Sequence, residues 1–388
     1  MALGLGTLGT ALAAEPRATP PDPTELNNSG VKLAGQARYA DAEAAFRQAL
    51  DSWAGRGETP ETARSRALAL ENLGTLLQIA GRYTESEVLL TQSLSQLQAT
   101  TGESSPDVGG VLEKLAALYR AKGDPYKAES CALRAGAMLS EPRRTGNRVT
   151  LASIYVEEHR YAEARTILEP ILPVATGDLA FTVNAVLGAA ALNEGKLEDA
   201  AGLFRHALDI AATALPPEHF GLAAVWTNLG HVYRFQKRHV EAESSYRKAI
   251  EIWTATRGPS HPLVGYGLRN FAAFEHYRGR EHAAEVLYQR AAAIFEQAFG
   301  TDDLQTLIAR NELGEVFRAQ GRYVASEQLS RATLPAIQKL LPESDPRVLG
   351  ALANFARLLA STSRGAEATA LWKHIHLVTQ AMISEPTR

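Results

Sequence analysis

One motif recurs along most of the chain, and its period constrains the fold more than any other feature. In residues 71–87 it reads ENLGTLLQIAGRYTESE, and Tyr83 marks a turn. Equivalent anchor positions recur at spacings of 44, 42, 36, 36, 42, 42, 42 and 42 residues: Tyr39, Tyr83, Pro125, Tyr161, Leu197, His239, Glu281, Tyr323 and Gly365. Such a period indicates stacked copies of one supersecondary unit, each of which packs only on its neighbours.

Each unit is predicted to contain two helices joined by a tight turn. The residue nine positions before the anchor and the residue three positions after it are small in every unit, as Gly74 and Ser86 are in the second. Small residues there allow the two helices to cross closely. Gly81 is expected to end the first helix in the left-handed conformation. Thr84 and Glu87 predict a capping box for the second helix.

Composition and charge exclude several classes of protein. The chain has 388 residues, of which 45% are hydrophobic and 21% are charged, values typical of a folded chain rather than a disordered one. With 40 basic and 43 acidic residues, its net charge is −3, so no bulk electrostatic attraction to nucleic acid or to anionic membranes is expected. The single cysteine, Cys131, excludes an internal disulfide and is interpreted as a core residue.

The amino-terminal residues predict export from a bacterial cell. Residues 1–14 are largely apolar and contain the small-x-small sequence Ala11-Leu12-Ala13, although no positive charge precedes the apolar run. The run is too short to span a bilayer and resembles a cleaved signal. We therefore interpret 1–14 as a signal peptide, 15–24 as a proline-rich linker and 25–388 as the repeat region. The mature chain, without a membrane-spanning segment, is expected in the periplasm or outside the cell, and a cytoplasmic protein is the alternative.

The repeated features resemble the tetratricopeptide repeat. The 42-residue spacing is similar to the kinesin light chain type of that family, as are three links with the pattern polar-Pro-x-Val, at 105–108, 261–264 and 345–348. The resemblance covers about 25–380 and implies an all-α, right-handed solenoid of about nine helix-turn-helix units. The sequence departs from the pattern where the spacing falls to 36, and three residues replace the turn glycine: His159, Lys237 and Ser363.

No motif of an enzyme or a metal site is recognisable. The sequence contains no GxSxG, no P-loop and no HExxH. The ten histidines are scattered: His374 and His376 point to different sides of a predicted helix, and His276 and His282 flank a turn. We therefore expect neither catalysis nor a cofactor. A metalloprotein or hydrolase that uses these histidines is the rival hypothesis.

A row of asparagines on the first helix of the units indicates a binding surface. The row lies two residues before the small position and comprises Asn28, Asn72, Asn228, Asn270 and Asn354. The resemblance implies that this position lines a concave groove, where an amide can donate to and accept from the main chain of a peptide. Other polar residues on or near that face complete the predicted groove: Arg234, Arg269, His276, Tyr277, Asn311, Arg318 and Arg357. The alternative is that the asparagines bond a neighbouring helix or are simply solvated.

These patterns favour a non-enzymatic scaffold that binds a partner protein or an extended peptide, and no nucleic acid. The predicted groove residues concentrate in 227–357, so we expect the main site in the carboxy-terminal half, with a slightly basic, amide-rich surface suited to a neutral or acidic segment. A peptide-sensing regulatory protein is the alternative. The last helix carries Leu371, Trp372 and Leu377, and no further unit follows to cover it. This predicts either a terminal cap or a surface for self-association.

Overall fold

The computed structural model describes residues 22–384, except residues 37, 55, 56, 58, 218 and 220. The described residues form eighteen α-helices and one short 3-10 turn, Leu172–Val174, and contain no strand. In chain order, α1 to α18 are Pro23–Gly35, Tyr39–Ala54, Pro60–Ile79, Tyr83–Thr101, Pro106–Lys122, Pro125–Met138, Arg143–Glu157, Tyr161–Leu168, Gly177–Asn193, Leu197–Ala214, Gly221–Phe235, His239–Arg257, Pro262–Tyr277, Glu281–Phe299, Leu304–Ala319, Tyr323–Leu340, Pro346–Ser361 and Gly365–Ser384. The predicted signal peptide and residues 15–21 of the predicted linker lie outside the described residues.

The helices alternate as the first and second helix of nine units, so the predicted all-α repeat fold is confirmed. Each second helix, from α2 to α18, begins at the anchor residue of its unit. The first helix of the first unit begins at Pro23, inside the segment that the sequence predicted to be linker. Where the anchor spacing falls to 36 residues, α8 has only eight residues and the 3-10 turn follows it. No helix in the described part of the chain is long and apolar enough to cross a bilayer.

The small positions within a unit hold its two helices together in a specific way. A Cβ atom added to Gly230 would lie 2.8 Å from the ring of Tyr246, which is almost fully buried. Glycine therefore leaves room for an aromatic ring that the second helix presents seven residues after its anchor. In the second unit, the hydroxyl of Ser86 donates a hydrogen bond of 2.7 Å to the carbonyl of Gly74. This bond satisfies a buried hydroxyl at the closest approach of the helices.

The predicted capping box at the start of α4 is wrong. The helix begins at Tyr83, two residues earlier than the box requires, and no side chain caps it. Thr84 therefore lies within the first turn of the helix. Arg82 instead donates to Glu85 over 2.8 Å and 2.6 Å. This holds a carboxylate near the amino-terminal end of the helix, where the helix dipole favours negative charge.

The proline links begin the first helices as their sequences predict. Ser105 and Asp345 each accept a backbone hydrogen bond at the start of α5 and α17, and a proline follows as the first helical residue. Proline is tolerated there because its missing N–H has no partner within the helix. At the turns, Gly81 has a φ of 78°, and the three residues that replace glycine keep this left-handed conformation: His159, Lys237 and Ser363.

Ion pairs join successive units along the turns. A glutamate four residues after one anchor accepts from the arginine just before the next anchor, in the pairs Arg82–Glu43, Arg160–Glu129, Arg280–Glu243, Arg322–Glu285 and Arg364–Glu327. Between units four and five the acid and the base change places. Arg165, four residues after the anchor of unit four, donates to Glu194 of unit five. Each partly exposed pair stabilises the fold only slightly, but the repeated pattern fixes the register between units.

The solenoid also closes on itself between distant units. The ring Nε2 of His261 lies 2.8 Å from the carbonyl oxygen of Ile79, although the residues are 182 positions apart. Tyr83 stacks on Phe299 with ring centroids 5.4 Å apart. We call this contact, formed by residues 79–83 with His261, Pro262 and Phe299, the clasp. It places the turn of unit two against the link between units six and seven.

Close packing within the clasp leaves no room for a side chain on Gly81. An added Cβ would lie 2.4 Å from Cδ of Pro262. His261 also accepts a hydrogen bond from the backbone N–H of Leu263 through Nδ1, over 3.1 Å. The neutral ring with its proton on Nε2 satisfies both partners, because Nε2 can then donate to Ile79. The clasp is therefore a close contact that joins unit two to the link between units six and seven.

Candidate ligand-binding site

A cavity of about 720 Å³ lies on the face shared by the first helices of units seven to nine. We call it the inner cavity. Most of its wall comes from α15 and α17, and α13, α14 and α16 add one side chain each. The lining residues are His276, Tyr288, Ile308, Asn311, Glu312, Glu315, Arg318, Ile337, Pro346, Arg347, Gly350, Ala351, Asn354 and Arg357. The cavity therefore combines amides, both signs of charge and an apolar floor.

The structure brings five of the eleven predicted site residues together in the inner cavity: His276, Asn311, Arg318, Asn354 and Arg357. Six others lie outside its lining: Asn72, Asn228, Arg234, Arg269, Asn270 and Tyr277. The five share one region because residues 42 or 43 positions apart on successive first helices become neighbours when the units stack. All five lie in units seven to nine, and their role in binding stays a prediction.

A chain of amide hydrogen bonds crosses the wall of the cavity. Asn354 donates to Oδ1 of Asn311 over 2.8 Å, and Asn311 donates to the hydroxyl of Thr333 over 3.3 Å. Arg357 in turn donates to Oδ1 of Asn354 over 2.6 Å. These bonds join α15, α16 and α17, so the two asparagines bond neighbouring helices. They fix the position of Arg357 through its Nη1 group.

The guanidinium groups of the cavity are only partly neutralised. Arg318 donates to Glu315 through Nε and Nη2, both over 2.9 Å, and these bonds raise the pKa of Arg318. Nη1 of Arg357 lies 3.6 Å from the same carboxylate. Arg347 forms two side-chain bonds with Asp345, of 2.9 Å and 2.7 Å, which lower the pKa of that carboxyl group. Two arginines thus share the charge of Glu315, and Arg357 is the more exposed of them.

Two predicted residues at the edge of unit seven have separate surroundings. Nδ1 of His276 lies 2.6 Å from Oε2 of Glu281, the anchor residue of that unit. Tyr277, the next residue in the chain, is exposed and lies outside the cavity lining. Among the described residues, no group of three or more histidine, cysteine, aspartate or glutamate side chains is arranged to hold a metal ion.

The predicted residues outside the cavity differ in what they contact. Asn72 donates to Oδ1 of Asn27 over 3.1 Å, which joins the first helices of units one and two. Asn228 and Asn270 are half-buried, and neither side chain forms a hydrogen bond with another described residue. Arg269 donates to Gln305 over 2.9 Å, and the guanidinium of Arg234 lies 4.6 Å from the ring centroid of Phe235. These residues do not form one continuous row with the cavity.

Three residues that line the cavity were not among those predicted from the sequence. Glu312 and Glu315 follow Ile308 at spacings of four and seven on α15, so the three side chains share one helix face. The spacing was present in the sequence, but acidic residues at such positions more often face water. Tyr288 was missed because its position in the second helix normally belongs to the interior of a unit. It is buried and still reaches the cavity lining.

The family model that matches the chain is the tetratricopeptide repeat, over residues 65–141, 178–255, 221–273 and 263–339. Together these matches span more than half of the chain. The chain belongs to the tetratricopeptide repeat family. The family identification predicted from the motif is therefore confirmed. No curated protein sequence matches this tetratricopeptide repeat protein significantly.

Several solved structures are similar to this tetratricopeptide repeat protein. A Rap protein complexed with Competence and Sporulation Factor is 16% identical, with a TM-score of 0.55, and the match covers 89% of this chain and 99% of that one. A Signal Transduction ATPase with Numerous Domains from Pyrococcus horikoshii, which carries a tetratricopeptide repeat sensor, is 13% identical, with a TM-score of 0.51 and coverages of 88% and 54%. A kinesin light chain protein of Podospora anserina is 19% identical, with a TM-score of 0.44 and coverages of 52% and 95%. At these identities the similarity concerns the fold alone.

Proposed function

We propose that the protein is a non-enzymatic scaffold that binds an extended peptide segment of a partner protein in the inner cavity. The fold supports this proposal because stacked helix pairs leave a continuous concave surface that suits an extended chain. The cavity supports it because its amide and guanidinium groups match the carbonyl and carboxylate oxygens of such a segment. Nucleic acid is not the proposed ligand, because the net charge of −3 provides no electrostatic attraction to phosphates.

Arg357 is the residue that carries this proposal. Its side chain is 44% exposed in the cavity wall, and its Nη1 group is fixed by Asn354. No described residue accepts a hydrogen bond from its Nε or Nη2 groups, so these donors remain available. A guanidinium with one fixed nitrogen and further free donors is well placed to bind a carbonyl or carboxylate of a ligand.

The proposal predicts a specific loss of binding when Arg357 is removed. The full chain, fluorescently labelled, would be applied to an array of random octapeptides, and the dissociation constants of the peptides that bind would then be measured by fluorescence anisotropy. Loss of a charge-assisted hydrogen bond in Arg357→Ala should weaken binding about tenfold. Arg47→Ala is the matched control, because Arg47 is 46% exposed and pairs with Glu43, far from the cavity. Equal affinities of Arg357→Ala and the wild type would contradict the site, and no binding by the wild type would contradict the function.

A peptide-sensing regulatory protein is the second candidate function, and the clasp favours it. A small set of contacts between residues 79–83 and the link at 261–262 holds two distant parts of the solenoid together. A ligand that binds better when this contact is open or closed would shift the shape of the whole coil. The Rap neighbour, which was solved with a bound factor, makes this candidate reasonable for the same fold. A change in the radius of gyration when a peptide from the array binds would support it, and an unchanged radius would contradict it.

Export and self-association stay predictions. Amino-terminal sequencing of the native protein would support export if the mature chain starts near residue 14, and an intact Met1 would contradict it. Trp372 and Leu377 are exposed on α18, the last helix of the described residues. If this helix mediates self-association, Trp372→Glu should lower the mass measured by light scattering, and an unchanged mass would contradict that role.

A further inference from the structure

Glu312 is the acidic residue of the inner cavity whose charge is least compensated. It lies on α15, four residues after Ile308, and both side chains line the cavity. No described residue donates a hydrogen bond to either of its carboxylate oxygens, and Oε2 is inaccessible to solvent. A carboxylate can accept several hydrogen bonds, so this arrangement leaves most of its capacity unused.

The nearest cation compensates Glu312 only weakly. Nε of Arg269 lies 3.9 Å from Oε2, a distance too long for a hydrogen bond. The same guanidinium already donates to Gln305 through Nη1, over 2.9 Å. Glu315, one turn further along α15, provides the contrast, because it accepts two hydrogen bonds of 2.9 Å from Arg318. The two carboxylates therefore share a helix face but differ in how well they are paired.

The surroundings of Glu312 disfavour its charged form. Burial raises the pKa of its carboxyl group, and the attraction to Arg269 opposes this only in part. The Glu312 side chain as a whole is 34% exposed, so a cation can reach its carboxylate, and a carboxylate without hydrogen bonds gains from such a pairing. The lining of the cavity also includes three apolar side chains, those of Ile308, Ile337 and Ala351. Such side chains suit the methylene stem of a lysine or arginine.

We propose that Glu312 binds a lysine or arginine side chain of the segment that occupies the inner cavity. The inference rests on the proposed function and adds to it the chemical class of one ligand residue. The charged head of that residue would pair with Oε1 of Glu312, and its stem would lie along Ile308. Arg357, on the neighbouring first helix, would hold a carbonyl or carboxylate of the same segment. The ligand is thus a segment with a basic residue and an acceptor group beside it.

A positional-scanning library of octapeptides tests this inference with the full chain. The peptides would be acetylated and amidated, so that a terminal amine or carboxylate cannot replace a side chain. For the wild type, we expect lysine and arginine to be enriched about tenfold over alanine at one position, as for a charge-assisted hydrogen bond. Glu312→Gln should lose this preference, since it keeps the shape of the side chain and removes its charge. Glu312→Asp keeps the charge and should keep the preference in part.

The control is Glu367→Gln, because Glu367 lies on α18 at the surface and pairs with Arg364, outside the cavity. It should keep the preference of the wild type. The same enrichment of basic residues in Glu312→Gln as in the wild type would overturn the inference and leave the proposed function standing. An absence of peptide binding by the wild type would overturn both. Far-UV circular dichroism of each variant would show that the helices are intact, and Glu312→Asp would decide the outcome if Glu312→Gln does not fold.

Discussion

Tyr83 and Tyr323 occupy the same position in two units, but they have different surroundings. Tyr83 is 4% exposed and stacks on Phe299 in the clasp, whereas Tyr323 is 39% exposed. Both residues begin the second helix of their unit, so the repeat itself does not explain the difference. It arises because Phe299, at the end of α14, and the link between units six and seven cover the turn of unit two.

The hydrogen bonding of polar groups also differs between the clasp and the inner cavity. In the clasp, His261 has a partner for each ring nitrogen, the carbonyl of Ile79 and the N–H of Leu263. In the inner cavity, Glu312 has no hydrogen bond within the described part of the chain, and Arg357 keeps donors available. Contact between distant units therefore satisfies both ring nitrogens of His261, whereas Glu312 and Arg357, on the inner face of units seven to nine, keep groups without a partner among the described residues.

Replacing the two tyrosines by alanine should give the largest difference between the regions. Tyr83→Ala removes a buried aromatic ring and its stacking contact, so the free energy of unfolding should fall by about 4 kcal/mol. Tyr323→Ala removes a partly exposed ring and should cost about 1 kcal/mol. Urea unfolding followed by circular dichroism would measure both. Similar losses for the two variants would show that the clasp does not stabilise the protein in solution.

Substitutions at two glycines in equivalent turns distinguish the cost of backbone strain from the cost of a packing collision. Gly81 and Gly321 have φ values of 78° and 76°, but only Gly81 has a neighbour in the way of an added Cβ. Gly321→Ala should therefore cost about 1 kcal/mol from the left-handed conformation alone. Gly81→Ala adds the collision with Pro262 and should cost about 3 kcal/mol. If both variants lose the same stability in urea unfolding, the approach of Gly81 to Pro262 is not as close as the structure shows.

The clasp should also weaken in mild acid. Burial lowers the pKa of His261 to about 4, and the charge of Arg257 acts in the same direction, although the bond to Ile79 opposes it. The unfolded chain, with an ordinary pKa near 6.5, takes up the proton first as the pH falls. The stability from neutral His261 is therefore complete above about pH 6.5 and is lost as the pH falls toward 4, by about 2 kcal/mol between pH 7 and 4.5.

The variant His261→Gln tests this acid dependence, because glutamine can accept and donate as the neutral ring does but does not titrate. His231 is buried as well, with a pKa lowered to about 4, so the variant should keep part of the dependence. Thermal melts at pH 7 and 4.5 would compare the two proteins. An equal loss of stability in wild type and variant would exclude His261 as a source of the effect.

The local parts of the fold could be predicted from the sequence because they depend on short-range rules. The period, the small residues at helix crossings, the proline links and the left-handed turns all involve residues within one unit. The capping box failed because Arg82, two residues before the predicted N-cap Thr84, pairs with Glu85 and the helix begins at Tyr83 instead. The clasp could not be predicted, because contacts between residues 182 positions apart depend on how strongly the whole solenoid curves.

The candidate site was predictable only in part for a similar reason. The sequence placed His276, Asn311, Arg318, Asn354 and Arg357 near one face, and stacking of the units brings them together. It did not reveal that Asn311 and Asn354 bond each other, nor that Glu312 lacks a hydrogen-bond donor. Those facts depend on rotamers and on the distance between α15 and α17, which the repeat pattern does not specify.

The most direct test of binding in the inner cavity is hydrogen–deuterium exchange of the full chain, with and without a peptide selected on the array. The cavity is built mainly by α15 and α17, so amide exchange in Leu304–Ala319 and Pro346–Ser361 should slow when the peptide binds. The first helices of units two and three, Pro60–Ile79 and Pro106–Lys122, should exchange as before. Protection confined to those two helices, with α15 and α17 unchanged, would contradict the account.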